Sequence, residues 1–205
     1  MTPALSFKTF RPLALIATLI AALSLGGCGV NNIPTYEQSA KAAWAEVQNQ
    51  YKRRTDLIPN LVESVKGFAE QERKVLTDVT EARAKATSVQ IPADILTNPE
   101  AMKQYQDAQN TLGGALRQLL AVVERYPDIK SGQNFLALQS QIEGTENRIN
   151  ITIRDYNAAV QSYNTTIRTF PDMIGAKIIH GAKPMVPFEA KPGADQAPTV
   201  DFSKG

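Results

Sequence analysis

Residues 98–127 read NPEAMKQYQDAQNTLGGALRQLLAVVERYP, and this stretch decides the fold. Asn98 is an N-cap residue, Pro99 suits the first helical position, and Glu100 lies beside the positive helix end. Tyr105, Leu112, Leu119 and Tyr126 then alternate with Met102, Gln109, Leu116 and Val123. This three–four spacing lays one apolar stripe along a helix, as a helix-on-helix seam requires. Pro127 stops it.

The same period continues on both sides. Downstream, from about residue 131 to 170, Phe135, Ile142, Ile149, Tyr156, Tyr163 and Phe170 stand seven apart. Leu138, Ile153, Val160 and Ile167 widen that stripe. A helix of about 60 Å is predicted, ended by Pro171. Upstream, from about 36 to 89, Trp44, Tyr51, Ile58, Val65, Val79 and Ala86 share a seven-residue spacing broken by Glu72. Val47, Leu61, Phe68, Val75 and Ala82 fill the partner position, broken by Arg54. Pro59 lies in the middle, where a proline removes a backbone hydrogen bond and costs about 3 kcal/mol. The helix is therefore kinked or broken there. The stripe keeps its phase across Pro59, which favours the kink. Short links between long amphipathic helices imply antiparallel neighbours. The expected fold is all-α, an antiparallel up-and-down bundle over residues 36–188. No period-two pattern argues for a sheet. Beyond Pro171 the chain turns rich in proline and glycine. Met185 to Phe188 is expected to pack on the bundle, and 189–205 to form a disordered tail.

The N-terminus carries a different signal. Lys8 and Arg11 precede an uncharged apolar run at 13–25, LALIATLIAALSL, then Gly26, Gly27 and Cys28. That order is the order of a secretory signal peptide, here residues 1–27. Cys28 is the only cysteine, so it has no disulfide partner within the chain. Leu25-Gly26-Gly27-Cys28 resembles a bacterial lipobox, which implies lipid attachment at Cys28 followed by a linker at 28–35. Two or more acyl chains anchor a protein stably where one does not. The alternative is an uncleaved signal anchor reaching to about residue 30. Gly29 after the cysteine favours the periplasmic face of the outer membrane where the envelope has two membranes, and the plasma membrane otherwise. Lys8 and Arg11 account for the whole formal excess of +2, so the remainder is neutral. A neutral chain without a basic block lacks the footprint of a nucleic-acid binder.

The chain also resembles the LemA family. Residues 53–62 (RRTDLIPNLV) with 65–68 (VKGF) resemble a first signature block, and 79–83 (VTEAR) a second. Tyr126-Pro127, Asn134-Phe135 and Leu138-Gln139 resemble a third, and 144–147 (GTEN) a fourth. Tyr156-Asn157, Val160, Tyr163-Asn164 and Phe170-Pro171 resemble the last. The resemblance implies a helical protein associated with a membrane through its N-terminus. It brings no catalytic residue and no cofactor. Members usually carry a plain transmembrane segment, from which the Gly-Gly-Cys here departs.

Few parts for catalysis are present. His180 is the only histidine and Cys28 the only thiol, so nucleophile–base pairs and zinc sets lack members. The expectation is a protein that is not an enzyme: an envelope interaction or scaffold protein with an unidentified envelope partner, or a bundle that binds a hydrophobic or amphipathic ligand. Lys52-Arg53-Arg54 is either a solvated face paired with Asp56 or a contact for anionic headgroups. Tyr156-Asn157 and Tyr163-Asn164 repeat one heptad apart. They are either core tyrosines flanked by satisfied asparagines, or a polar ladder fixing register or oligomeric state. Gly67, Gly114 and Gly144 lie beside the seam. They are tolerated surface glycines or a level of close backbone approach, by the tail or by a partner.

Overall fold

The structure is a computed structural model that describes residues 31–68 and 70–189. The expected signal peptide, Cys28 and nearly all of the expected tail lie outside the described residues. Helix α1 spans Asn32–Ser64. It begins within the segment read as linker. Pro34 sits in its first turn, where a missing N–H leaves no bond unmade, and Ile33 is fully buried.

Helix α1 passes through Pro59 and ends at Ser64. The chain breaks there, not at the proline. A 3₁₀ turn at Lys66–Phe68 leads to α2, Arg73–Ser88. The stretch 36–89 is thus two helices. Pro59 offers no N–H to the Thr55 carbonyl, and Arg83 of α2 supplies the donor instead, Nε to O at 2.9 Å. Glu72, which interrupts the stripe, stands immediately before α2. Its carboxylate accepts from Arg125 at 2.6 Å and from the Tyr126 hydroxyl at 3.1 Å.

Helix α3 is Pro99–Val123, and the Asn98 side chain caps it by accepting from the Ala101 N–H at 3.2 Å. Helix α4 is Gln133–Thr166, reached through a helical turn at Pro127–Lys130. Among the described residues there is no strand, and no helix is long and apolar enough to cross a membrane.

Helices α1 and α4 have 33 and 34 residues, about 50 Å each, and pack antiparallel. Helix α2 has only 16 residues and packs on α3. It can cover only half of the α1–α4 pair. In that half the core is four-helical, with Ile58 and Leu61, Val75 and Val79, Leu112 and Leu119, and Phe135 and Ile142. In the other half Trp44, Tyr51, Tyr105, Tyr156 and Tyr163 meet without α2. The chain returning from α4 fills the vacant place. Helical turns at Asp172–Gly175 and Ala176–His180 redirect it. Gly181, at φ 54° and ψ 34°, takes the left-handed conformation that glycine favours at a helix end. Residues 182–189 then form a strap in which Met185 and Phe188 are buried.

Candidate functional site

The two apolar clusters are separated by one polar level. It falls between Tyr51 and Ile58 on α1, between Tyr105 and Leu112 on α3, and between Ile142 and Ile149 on α4. Arg54, Gln109 and Glu146 occupy it. Arg54 is only 3% exposed, because its phase on α1 is that of Val47 and Leu61. Nη1 donates to Glu146 Oε1 at 2.8 Å. Nη2 donates to the Gln109 carbonyl at 2.8 Å and to its side-chain Oε1 at 2.9 Å. The guanidinium also lies 4.9 Å from the centre of the Tyr51 ring. Gly113 makes room for it: a Cβ there would sit 3.3 Å from Nη1. Burial pushes the Tyr51 hydroxyl up to about 12; Arg54 pulls it down and Glu146 pushes it up.

The strap carries the second constellation. Asn164 Nδ2 donates to the Met185 carbonyl at 2.8 Å, and its Oδ1 accepts from the Met185 N–H at 2.8 Å. Asn157 repeats the pattern with Phe188, at 3.1 Å and 2.8 Å. Seven helical residues rise about 10.5 Å, so the three residue steps from Met185 to Phe188 must be drawn out to nearly full extension. The Tyr156 hydroxyl donates to the Val186 carbonyl at 2.7 Å, and the Val186 N–H donates to Leu96 O at 2.7 Å. Pro184 precedes and Pro187 separates the residues whose N–H groups are used, so neither proline removes a needed donor. Phe188 enters an aromatic cage, with ring centres 5.8 Å from Trp44, 6.4 Å from Tyr51 and 5.6 Å from Tyr156.

The Tyr-Asn repeat is therefore a ladder whose partner is the backbone of its own chain. Tyr156 and Tyr163 are core residues, 0% and 3% exposed. Of the basic run, Lys52 pairs with Asp56 at 2.9 Å on the surface and Arg53 is exposed. Arg54 turns inward, so the structure denies it the headgroup contact expected as one alternative. The run also lies about 30 Å along α1 from Asn32. Gly67 belongs to the 3₁₀ turn, and a Cβ there would meet Ile129 Cδ1 at 3.5 Å. Gly114 and Gly144 have nothing within 4 Å of an added Cβ. The strap packs at a different level of α4, so residues 182–189 do not approach these glycines, and the rest of the tail lies outside the described residues. Between α3 and α4 lies an open cleft of about 430 Å³ lined by Gly113, Leu116, Arg117, Leu120, Ile142 and Glu146, among others. Among the described residues no group of three or more His, Cys, Asp or Glu is placed to hold a metal ion.

Arg54 and Gln109 were legible as interruptions of the apolar stripes. Their partners Glu146 and Gly113, and the insertion of Phe188, had no signal in the periodicity. The described residues define an all-α rod, closed by the strap at 182–189 and pinned by the ion pair of the buried Arg54 with Glu146. The LemA family profile matches residues 43–202, and the chain belongs to the LemA family. It is 28% identical over 140 residues to Protein LemA of Metamycoplasma hominis, a match covering 68% of this chain and 60% of that protein's length. It is 27% identical over 198 residues to Magnetosome protein MamQ 2 of Paramagnetospirillum magneticum, covering 89% of this chain and 70% of the relative. Magnetosome protein MamQ of Magnetospirillum gryphiswaldense is 24% identical over 197 residues, covering 88% and 72%.

Proposed function

We propose that this chain is a non-catalytic scaffold of the bacterial envelope, tethered at its N-terminus and presenting the bundle to an envelope protein. The observation that carries this reading is where the buried and half-buried polar groups direct their bonds. Arg54, Gln109, Glu146, Tyr156, Asn157 and Asn164 bond to one another or to the strap backbone. They hold a rod in shape. The open faces at Gly114 and Gly144 stand next in sequence to Gly113 and Glu143, which line the α3–α4 cleft. They suit contact with a partner helix, since small residues permit close approach. The apolar run at 13–25 and Cys28 supply the tether.

Intact mass of the membrane-extracted protein tests the tether. Loss of residues 1–27 with added acyl mass supports lipid at Cys28, and a full-length mass in the membrane fraction supports an uncleaved anchor. A chain recovered without either overturns the reading. Photo-crosslinkers placed at Gly114 and Gly144 in intact cells test the scaffold; a discrete adduct with an envelope protein is expected, and none at either position counts against it.

The α3–α4 cleft favours a second reading, a bundle that takes an amphipathic ligand. Leu116, Leu120 and Ile142 supply its apolar lining, and Arg117, Glu143 and Asn147 its polar contacts. Native mass spectrometry of the extracted protein should then show a co-purified small molecule that Leu120→Glu removes.

A further inference from the structure

Phe170, Ile174, Ile178 and Ile179 are 76%, 51%, 79% and 62% exposed. Isolated exposed apolar side chains are ordinary on a protein surface; a cluster is not. Ile174 and Ile178 stand four apart on the helical turns at 172–180 with Ile179 next to them, and Phe170 lies two residues before those turns. The inward side is made of Gly175 and Ala176, the latter 1% exposed and part of the core. The usual polarity is inverted: the smallest residues face the bundle and the largest apolar ones face outward. Packing against the bundle does not explain the isoleucines.

Position says what does. Asn32 Nδ2 lies 3.4 Å from Asp172 Oδ1, so the ridge is beside the first turn of α1. Cys28 is four residues before Asn32, at most about 14 Å of fully extended chain. Whatever holds Cys28 or the apolar run at 13–25 in a bilayer brings the ridge close to that bilayer's surface. Arg168, Lys177 and Lys183 are exposed near the ridge and Asp172 is half-buried beside it; Glu37, Lys41 and Asp94 share a pocket with Lys183, so this end carries four basic groups against three acidic ones. The balance suits anionic headgroups.

We propose that the ridge Phe170, Ile174, Ile178 and Ile179 seats in the interfacial region of an anionic bilayer at the anchored end of the bundle. This rests on the tethered reading above and adds to it a second, non-covalent contact. With both contacts at one end, α1 and α4 stand up from the membrane and carry the Arg54 level and the α3–α4 cleft away from the surface.

The test uses the full chain extracted from membranes and reconstituted into mixed phosphatidylethanolamine–phosphatidylglycerol vesicles or phosphatidylcholine vesicles. Ile178→Cys and, as a control on mid-α4, Ile151→Cys (48% exposed in the unaltered chain) each carry an environment-sensitive fluorophore, in the chain lipidated at Cys28 or, where the N-terminus is uncleaved, with Cys28→Ser added. Both sites are exposed, and unchanged thermal melts would verify folding. In the anionic vesicles the label at 178 should shift to the blue and be quenched by lipids bearing a nitroxide near the headgroup, and more strongly than in phosphatidylcholine. The label at 151 should do neither. A 178 label as aqueous as the 151 label, in vesicles that float with the protein, overturns the ridge contact and leaves the tether standing. Protein that does not float at all overturns both. A shifted 178 label that headgroup nitroxides fail to quench means that the chain's own N-terminal segment or a second copy covers the ridge, and also overturns the proposal.

Discussion

Arg54 and Glu146 form an ion pair of unequal partners. The arginine side chain is 3% exposed and the glutamate side chain 36%. Removing one member of a buried pair is harmful mainly because it strands the other charge. Glu146→Ala strands a guanidinium that water does not reach, and should destabilise by about 3 kcal/mol, the lower end of the range for buried pairs. Arg54→Met leaves a glutamate that solvent can still solvate and puts an apolar chain at a seam position. It should be milder, about 1 kcal/mol or less. Urea unfolding of both variants checks the order; equal losses, or a worse Arg54→Met, would show that the guanidinium's bonds to Gln109 dominate. The burial of Arg54 was readable from helical phase alone, since it falls seven residues after Val47 and seven before Leu61. Its neighbours Lys52 and Arg53 invite the opposite reading, that of a surface run. Nothing in the periodicity names Glu146 as its partner, because a glutamate beside the seam looks like any solvated carboxylate.

At the scale of elements, two devices hold pieces that local propensity would not. The first is the Thr55 carbonyl, freed by Pro59 and taken up by Arg83. Pro59→Ala restores a main-chain donor to that carbonyl. Arg83→Leu should therefore destabilise the unaltered protein more than it destabilises Pro59→Ala. A double-mutant cycle should give a coupling of about 0.5–1.5 kcal/mol, and additivity within error would sink the account. The second is the asparagine ladder. Asn157→Ala and Asn164→Ala each remove two hydrogen bonds to the strap, about 1–2 kcal/mol in sum for each residue. Together they should free the Met185 and Phe188 amides for hydrogen exchange and withdraw Phe188 from the sole tryptophan, Trp44, changing its emission. The half around α2, whose side chains form the other apolar cluster, should keep its protection. The three long stripes foretold helices, and Asn98-Pro99 foretold where α3 starts. The break after Ser64 was hidden because Val65, Val75 and Val79 keep the stripe in phase on both sides of it. Glu72 and Gly67 were the visible signs. The strap has no period to read, since its pairing comes from side chains of a distant helix.

The described residues form a rod of two halves with one polar level between them, and most of the buried aromatic residues lie in the strap half. Burial raises the hydroxyls of Tyr51, Tyr105 and Tyr156 above the ordinary value of 10.0, Tyr51 to about 12. The folded state thus keeps protons that the unfolded chain gives up once pH passes 10. Below pH 10 both states are neutral at these residues, and their contribution to stability is complete. From pH 10 upward the folded state binds more protons than the unfolded one, so stability falls as pH rises through the folded-state values. For Tyr51 alone the loss is about 2–3 kcal/mol by the time it is complete. Urea midpoints should be insensitive to these three tyrosines through pH 9 and should fall above pH 10. Tyr51→Phe should flatten the fall. Because Trp44 stands 5.2 Å from Tyr105 and 5.7 Å from Tyr156, its emission should change together with phenolate absorbance. A midpoint independent of pH up to 12, or phenolate appearing with Trp44 emission unchanged, would mean that water reaches the cage in the folded protein. The strap would then be open in solution, and the half of the bundle that lacks α2 would be uncovered.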